Sequence, residues 1–540
     1  MTRALYLGLA LLAAACGDKS PESICSNQVP PPAACMTACN PAPTAANSCP
    51  TGFHCSPEGK CDASCTAAGG QCGDNSTCTD DGRCIDVNTP CTGLQCAVVD
   101  CAAKNMPPTT ISGTVFAPNG TLPLFGVSVY VPNKDPGAFK PGVACGSCAN
   151  GLPGEPIVTT TTDDKGNFSL QGVPSGANIP VVITIGKWRR QLTVSSVASC
   201  ATQAMDPTET RLPASKDDTT PNTKSVDLPL IAISTGHADS LECLMRRLGI
   251  ADKEITTDTQ GGRIHLYSDT KATTNVAKTN GVGTSSFAAA FAGGTGTFSD
   301  SKTLWGTAAD PGKLKDYDIV ILSCEGAQHA ETKPQAAMDH LKAYADIGGR
   351  VFLSHWHNVW LEGTTQDTAG AKPAVWDAIA SFEDNVMDPG NGTKDTIDEN
   401  PTNNPKGVSF ANWMLNVQKD SPVRDQVTIA DGTAKRTAKQ INDPNKAERW
   451  VYLQTGTEQV PQNFQFTTPN EVPLENRCGK VVFSDMHVSD SPILDSNKNV
   501  LPYPSSCASR PPPPADQLTD QEKALAFMFF DISSCVGVLF

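Results

Sequence analysis

Residues 337–357 read AMDHLKAYADIGGRVFLSHWH. The helical spacing over 333–345 predicts an amphipathic helix, which Gly348-Gly349 stops. Arg350-Val351-Phe352-Leu353-Ser354 then reads as a continuously apolar, buried strand. Helix, glycine stop and buried strand form the repeating grammar of an α/β domain, and the flanking sequence obeys it. Strands are expected at 228–233, 263–267, 317–324 and 480–484. A helix over 240–248, capped by Asp239, follows the first strand, and a helix over 521–532 closes the domain. Alternating strands and helices predict a parallel sheet covered on both faces, spanning 227–540. Segments 270–312, 362–447 and 488–514 read as long insertions, the middle one with helical patches at 374–382 and 410–417.

Upstream the grammar changes. Residues 206–226 are polar and aperiodic and read as a linker. Residues 106–205 read as an all-β sandwich: TISGTVF (110–116) and GVSVYV (126–131) alternate, and DDKG (163–166) is a turn. The chain has 540 residues and 22 Cys, and 14 of these precede residue 102. Within 35–105, Cys39, Cys49, Cys55 and Cys61 are followed by Cys65, Cys72, Cys78 and Cys84, both quartets ending C-x5-C-x5-C. Two tandem knobs, each closed by two bridges, fit this spacing. They are similar in style to EGF-type modules, and C-x2-C pairs that would favour zinc are missing. Cys145 and Cys148 lie in PGVACGSC (141–148), where a structural bridge, one of them to Cys200, is expected over a redox pair. Residues 16–34 read as a tether, and 1–15 as a signal peptide: Arg3, then an apolar run too short to span a bilayer. Ala13-Ala14-Ala15-Cys16 resembles the bacterial lipobox, which implies cleavage before Cys16 and its lipidation. Gly17 after the cysteine implies sorting to the outer membrane. Removing Cys16 leaves an odd 21 cysteines, so at least one thiol stays free or pairs between molecules. The net charge of −15 argues against nucleic acid as a partner.

Two further resemblances rest on longer motifs. The order G-x-V, G-V-x-V-x-V, then TDDKGNFSLQGVPSG (162–176) resembles the carboxypeptidase regulatory-like domain, implying a small sandwich of transthyretin- or Ig-like topology that carries no catalytic residue. YDIVILSCEG (317–326), AMDHLKAYADIGGRVFLSHWH (337–357) and GKVVFSDMHVSD (479–490) resemble the class I glutamine-amidotransferase-like fold, in its trehalose-utilisation-type branch. That implies a flavodoxin-like sheet. Catalytic members place a nucleophilic Cys at the elbow after the Gly-Gly strand, a position that falls here on His355, and a later His, here His487. Cys324 lies one strand earlier. The resemblance therefore implies no thioester-forming amidotransferase.

In open α/β sheets, ligands bind at the carboxyl ends of strands. His355 and His357 end one strand, Asp485 and His487 another, and Glu325 and His329 follow a third. Imidazole and carboxylate at one rim suit a divalent metal or a sugar, with Trp356 and Trp360 available to stack on a ring. His355 and His487 are the catalytic candidates. The competing reading of His355-Trp356-His357 is a hydrogen-bonded core corner. His237, at the end of the first strand, either joins the rim or caps the helix, and His265 reads as core. Two functions follow: an outer-membrane lipoprotein presenting a non-amidotransferase domain for a carbohydrate or protein ligand or as structure, or an extracytoplasmic hydrolase of a sugar or amide at His355, His357 and His487.

Overall fold

The computed structural model describes residues 23–27, 32–39, 49–50, 52–56, 60–65, 72, 76–78, 82, 84–86, 91–269, 283–363, 372, 376–383, 388–390, 392–418, 422–430, 433–487, 492–507 and 518–537. Cys16, the signal peptide and the start of the tether lie outside them. The chain divides into two compact units, Met1–Cys91 and Thr92–Phe540.

In the first unit, two-stranded ladders join His54–Cys55 to Cys61–Asp62 and Ser76–Cys78 to Cys84–Asp86. Such short ladders bury little, so covalent links carry the fold. The first quartet closes as Cys39–Cys55 and Cys49–Cys61, and Cys65–Cys78 repeats the first of these pairings in the second quartet. A further bridge joins Cys25 to Cys35.

The second unit begins with a sandwich. Its strands are β1 (Thr110–Thr114), β2 (Ser128–Pro132), β3 (Pro156–Thr161), β4 (Asn167–Gln171), β5 (Gly176–Ile185), β6 (Trp188–Val197), β7 (Thr202–Ala204) and β8 (Thr223–Asp227). One sheet runs β8-β6-β5-β2-β3, the other β7-β1-β4. Two boundaries differ from expectation. Residues 92–105 belong with the sandwich rather than the Cys-rich segment, because Cys101 is bridged to Cys200. Residues 206–226 are not a free linker: β8 pairs with β6, and Asp218 meets the fully buried Arg190 at 2.9 Å. A buried guanidinium needs a carboxylate, which the polar composition of this stretch supplies.

The α/β part carries the parallel strands β9 (Ile231–Thr235), β10 (Ile264–Ser268), β11 (Ile319–Leu322) and β12 (Arg350–Ser354). The chain between β12 and β17 then supplies β13 (Lys394–Ile397), β14 (Gln426–Thr428), β15 (Glu448–Thr455) and β16 (Glu458–Thr468), before β17 (Gly479–Ser484) rejoins the parallel set beside β12. Among the described residues the sheet has 11 strands, with parallel order β10-β9-β11-β12-β17 and an antiparallel wing β16-β15-β13-β14. Of the two helical patches expected in 362–447, the one at 410–417 lies in the helix Gly407–Val417, whereas 374–382 holds a 3-10 turn, Trp376–Ala378, and a short strand, Ala380–Phe382. The helices longer than four residues among the described residues are α1 (Leu241–Arg247), α2 (Gln335–Asp346), α3 (Gly407–Val417) and α4 (Asp520–Ser533). None among the described residues is long and apolar enough to cross a membrane.

Strand alternation splits the core. Ile319, Ile321, Phe352 and Val482 face one side, with α4 and the sandwich core; Val320, Leu322, Val351, Leu353 and Phe483 face the other, with α2. Because α4 lies between sheet and sandwich, every residue from Gln521 to Ser533 is buried. Trp188 of the sandwich meets Phe529 and Phe530 edge-on, at 6.4 and 5.9 Å. Two bridges, Cys145–Cys478 and Cys148–Cys535, lock the 133–155 segment of the sandwich to the α/β part. This corrects the expected link to Cys200, whose partner is Cys101.

Candidate functional site

Parallel pairing brings strand ends together. Leu322 is in register with Leu353, and Ser354 with Ser484, so β11, β12 and β17 end along one edge. The chain passes from β9 outward to β10 and returns across β9 to β11, so the strand order reverses between β9 and β11. In such sheets the crevice for ligands opens at that reversal. The turns after these two strands touch through backbone: a Cβ on Gly236 would lie 2.2 Å from the Cys324 carbonyl oxygen. Only glycine permits that approach.

Three side chains meet at this edge. Cys324 Sγ lies 3.4 Å from His355 Nδ1, and the rings of His355 and His487 are 5.0 Å apart, crossing at 70°. One ligand atom from each of the three lies within 4.8 Å of the other two. Cys324 is fully buried, His355 is 5% exposed and His487 2%. His355 adopts φ 45°, a left-handed conformation costly for a side chain of this size. The chain leaves β12 there and enters a 3-10 turn, His355–Asn358, instead of continuing as strand.

Burial sets the charge of each group. It pushes the Cys324 thiol up to about 12, against hydrogen bonds from the Trp356 and Gly326 backbone amides. It holds His355 down to about 3, helped by Lys435, and holds His487 well below the usual histidine range, helped by His355 and Lys435. Both imidazoles are therefore neutral and keep a lone pair. His487 Nε2 is buried and has no hydrogen-bond partner among the described residues. Cys324 is the free cysteine among them.

The other predicted residues are held elsewhere. His357 Nε2 donates to the Ser323 carbonyl at 2.9 Å and its Nδ1 accepts from Trp360 Nε1 at 3.0 Å, so both ring nitrogens are used. It does not converge with His355, because the 3-10 turn rotates it toward the core. Trp360 is buried against Trp305 at 5.4 Å and offers no face to a sugar, whereas Trp356 lies against His355 at 5.1 Å. Asp485 accepts from Thr437 N at 2.8 Å, Thr437 Oγ1 at 2.7 Å and Ala438 N at 2.8 Å, and so anchors the insertion rather than a ligand. Glu325 pairs with the buried Lys333 at 2.7 Å. His329 Nδ1 meets Glu331 at 3.2 Å, away from the cluster. His265 bridges Tyr317 and the Gly262 carbonyl in the core.

The residue missed from sequence is Cys324. Its signal was present: a cysteine two positions after a buried strand, adjacent in a parallel sheet to the strand that ends at His355.

No protein-family model and no curated protein matches the chain. Among solved structures, it is similar to chains of two cohesin–X-dockerin complexes from Acetivibrio cellulolyticus, a C-terminal and an N-terminal interface mutant. Each is 16% identical, with TM-scores of 0.14 and 0.16; the matches cover 28% and 26% of this chain and 78% and 84% of those. Scores this low carry no inference about fold or function.

Proposed function

We propose that this is an exported, lipid-anchored outer-membrane protein whose α/β domain binds a divalent transition metal of the zinc type through Cys324, His355 and His487. The observation that carries this reading is the convergence of one thiol and two neutral imidazoles within 4.8 Å, all buried. Tetrahedral zinc uses the same donor set, at ~2.3 Å from sulfur and ~2.0–2.1 Å from nitrogen, so the three groups need only small shifts to close on an ion. The amides of Trp356 and Gly326 already donate to the sulfur, as a metal-bound thiolate requires. A nucleophilic role for Cys324 is disfavoured, because a thiol held near 12 is not ionised at neutral pH.

The strand order β10-β9-β11-β12-β17 supports a flavodoxin-like sheet of the glutamine-amidotransferase-like kind, with His355 at its elbow. The five- and three-stranded sheets of the sandwich support a transthyretin-like or Ig-like module that spaces the domain from the membrane. Three protein ligands rather than four leave a coordination position for water, the pattern of catalytic zinc, and this favours an extracytoplasmic hydrolase as the second reading.

Cobalt tests the proposal. The full chain titrated with Co2+ should bind one equivalent and show a thiolate-to-cobalt absorption band. Cys324→Ser should abolish the band, and His355→Ala and His487→Ala should each weaken binding by roughly tenfold or more. Identical spectra for the wild type and Cys324→Ser would overturn the assignment.

A further inference from the structure

A well-formed cavity lies at the other end of the sheet. It occupies about 300 Å³ between the sandwich and the α/β part, within the size range of small-molecule pockets. Tyr130, Phe139 and Arg189 line it from the sandwich, Leu152 from the 133–155 segment, and Asp318 and Arg350 from the amino-terminal ends of β11 and β12. Both interdomain disulfides contribute to its wall, through Cys145, Cys148 and Cys535. The wall is mainly apolar, and the cross-links fix its shape.

Its polar groups are unevenly charged. Lys187 and Asp318 pair at 2.5 Å and cancel. Arg189 is 1% exposed, pairs with Asp227 at 2.8 Å, and stacks over the Phe139 ring with its guanidinium carbon 4.1 Å from the centroid. Arg350 donates to the carbonyls of Cys478 at 2.6 Å and Ser534 at 3.1 Å, and among the described residues no carboxylate forms an ion pair with it. Arg189 Nη1 and the Tyr130 hydroxyl are buried donors with no partner among the described residues. Asp318 offsets Lys187 and Asp227 offsets Arg189, so Arg350 is the lining cation without an ion pair among the described residues, and two donors stand unused. A buried donor beside uncompensated positive charge is stabilised most by an anion. The apolar wall asks for a hydrocarbon body, and the volume admits one small molecule.

We propose that this cavity binds a small amphiphilic monocarboxylate, its head group toward Arg189 and Tyr130 and its apolar body against Phe139 and Leu152. The site is independent of the Cys324 cluster, which lies at the opposite, carboxyl edge of the same strands.

Calorimetric titration of the full chain with octanoate, with octan-1-ol in parallel, tests this. Octanoate should bind at least tenfold more tightly than the alcohol. Arg189→Met should remove that preference, and Arg189→Lys should keep part of it. Since Arg189 also pairs with Asp227, a second variant is needed that leaves the ion pair intact. Ser128→Leu places a larger apolar group in the cavity wall and should abolish octanoate binding while the melting temperature and the cobalt spectrum stay as in the wild type. Equal affinity for acid and alcohol, unchanged binding in a folded Ser128→Leu protein, or no binding of octanoate at millimolar concentration would each overturn the proposal.

Discussion

Lys333→Met probes the support beneath the edge that carries Cys324, His355 and His487. Lys333 is fully buried, and its ammonium lies 2.7 Å from Glu325 Oε2, 3.2 Å from Thr332 Oγ1 and 5.5 Å from the centre of the Trp305 ring. Glu325 Oε1 has no partner among the described residues, so the ammonium is the main compensation for a carboxylate that directly follows Cys324. At 2.7 Å and an effective dielectric constant of about 20, the pair attracts by roughly 6 kcal/mol, most of which the desolvation of both ions offsets. The net value of the intact pair is therefore small. Removing one ion is different: a buried carboxylate left unpaired costs about 3–5 kcal/mol. Lys333→Met should lose about that much in chemical denaturation followed by circular dichroism. The double variant Lys333→Met/Glu325→Gln should recover most of it, since neither charge then remains. Glu325→Gln alone should keep the cobalt–thiolate band, because Glu325 is engaged by Lys333 and not by the cluster. A loss below about 1 kcal/mol in Lys333→Met, or a double variant no more stable than the single, would refute the reasoning. Disappearance of the band in Glu325→Gln would instead make Glu325 a ligand.

Other changes separate structural groups from functional ones. Asp485→Asn should cost about 2–4 kcal/mol and expose 433–441 to protease, since a charged acceptor of three hydrogen bonds is lost. Replacing Cys148 and Cys535 by Ser should cost about 2–5 kcal/mol, read as a lower melting temperature of the second unit. Burial acts to raise the Asp531 carboxyl, but Lys406 and Lys480 outweigh it and hold it at about 2. Its folded value lies below its unfolded one, so its contribution of about 2 kcal/mol is present above pH ~4 and lost as pH falls toward 2. Asp531→Asn should flatten that part of the stability–pH curve. Cys16→Ser should move the protein from the membrane fraction to the soluble one; retention on membranes in high salt would place the anchor elsewhere.

The parallel strands were legible because they are buried on both faces and read as short apolar runs: IVIL at 319–322, RVFLS at 350–354 and KVVFS at 480–484. Knowing that they are parallel and adjacent was enough to bring His355 and His487 to one edge. The wing β13–β16 was not legible. Strands such as KDTI and QVT are short and polar, and they are held by pairing rather than by their own pattern. The rotation of His357 was hidden as well. A strand that stops at Ser354 and one that runs on through His357 have the same sequence, and the left-handed step at His355 decides between them. Cysteine spacing marked the two four-Cys knobs without their pairing, and gave no access to Cys145–Cys478 or Cys148–Cys535, whose partners are 333 and 387 residues apart.

Those separations impose an order on maturation. A chain is made amino end first, so Cys145 and Cys148 emerge long before Cys478 and Cys535 exist. During that interval the two early thiols can meet each other and the other cysteines already made, among them Cys101, Cys200, Cys243 and Cys324. A premature Cys145–Cys148 bond would hold both away from the α/β part. The correct pairing requires the last helix, α4, to be seated between sheet and sandwich, because Cys535 follows it by two residues. Closure of Cys148–Cys535 therefore reports that α4 is seated, and a thiol-disulfide isomerase that reopens early bonds would set the yield of native protein.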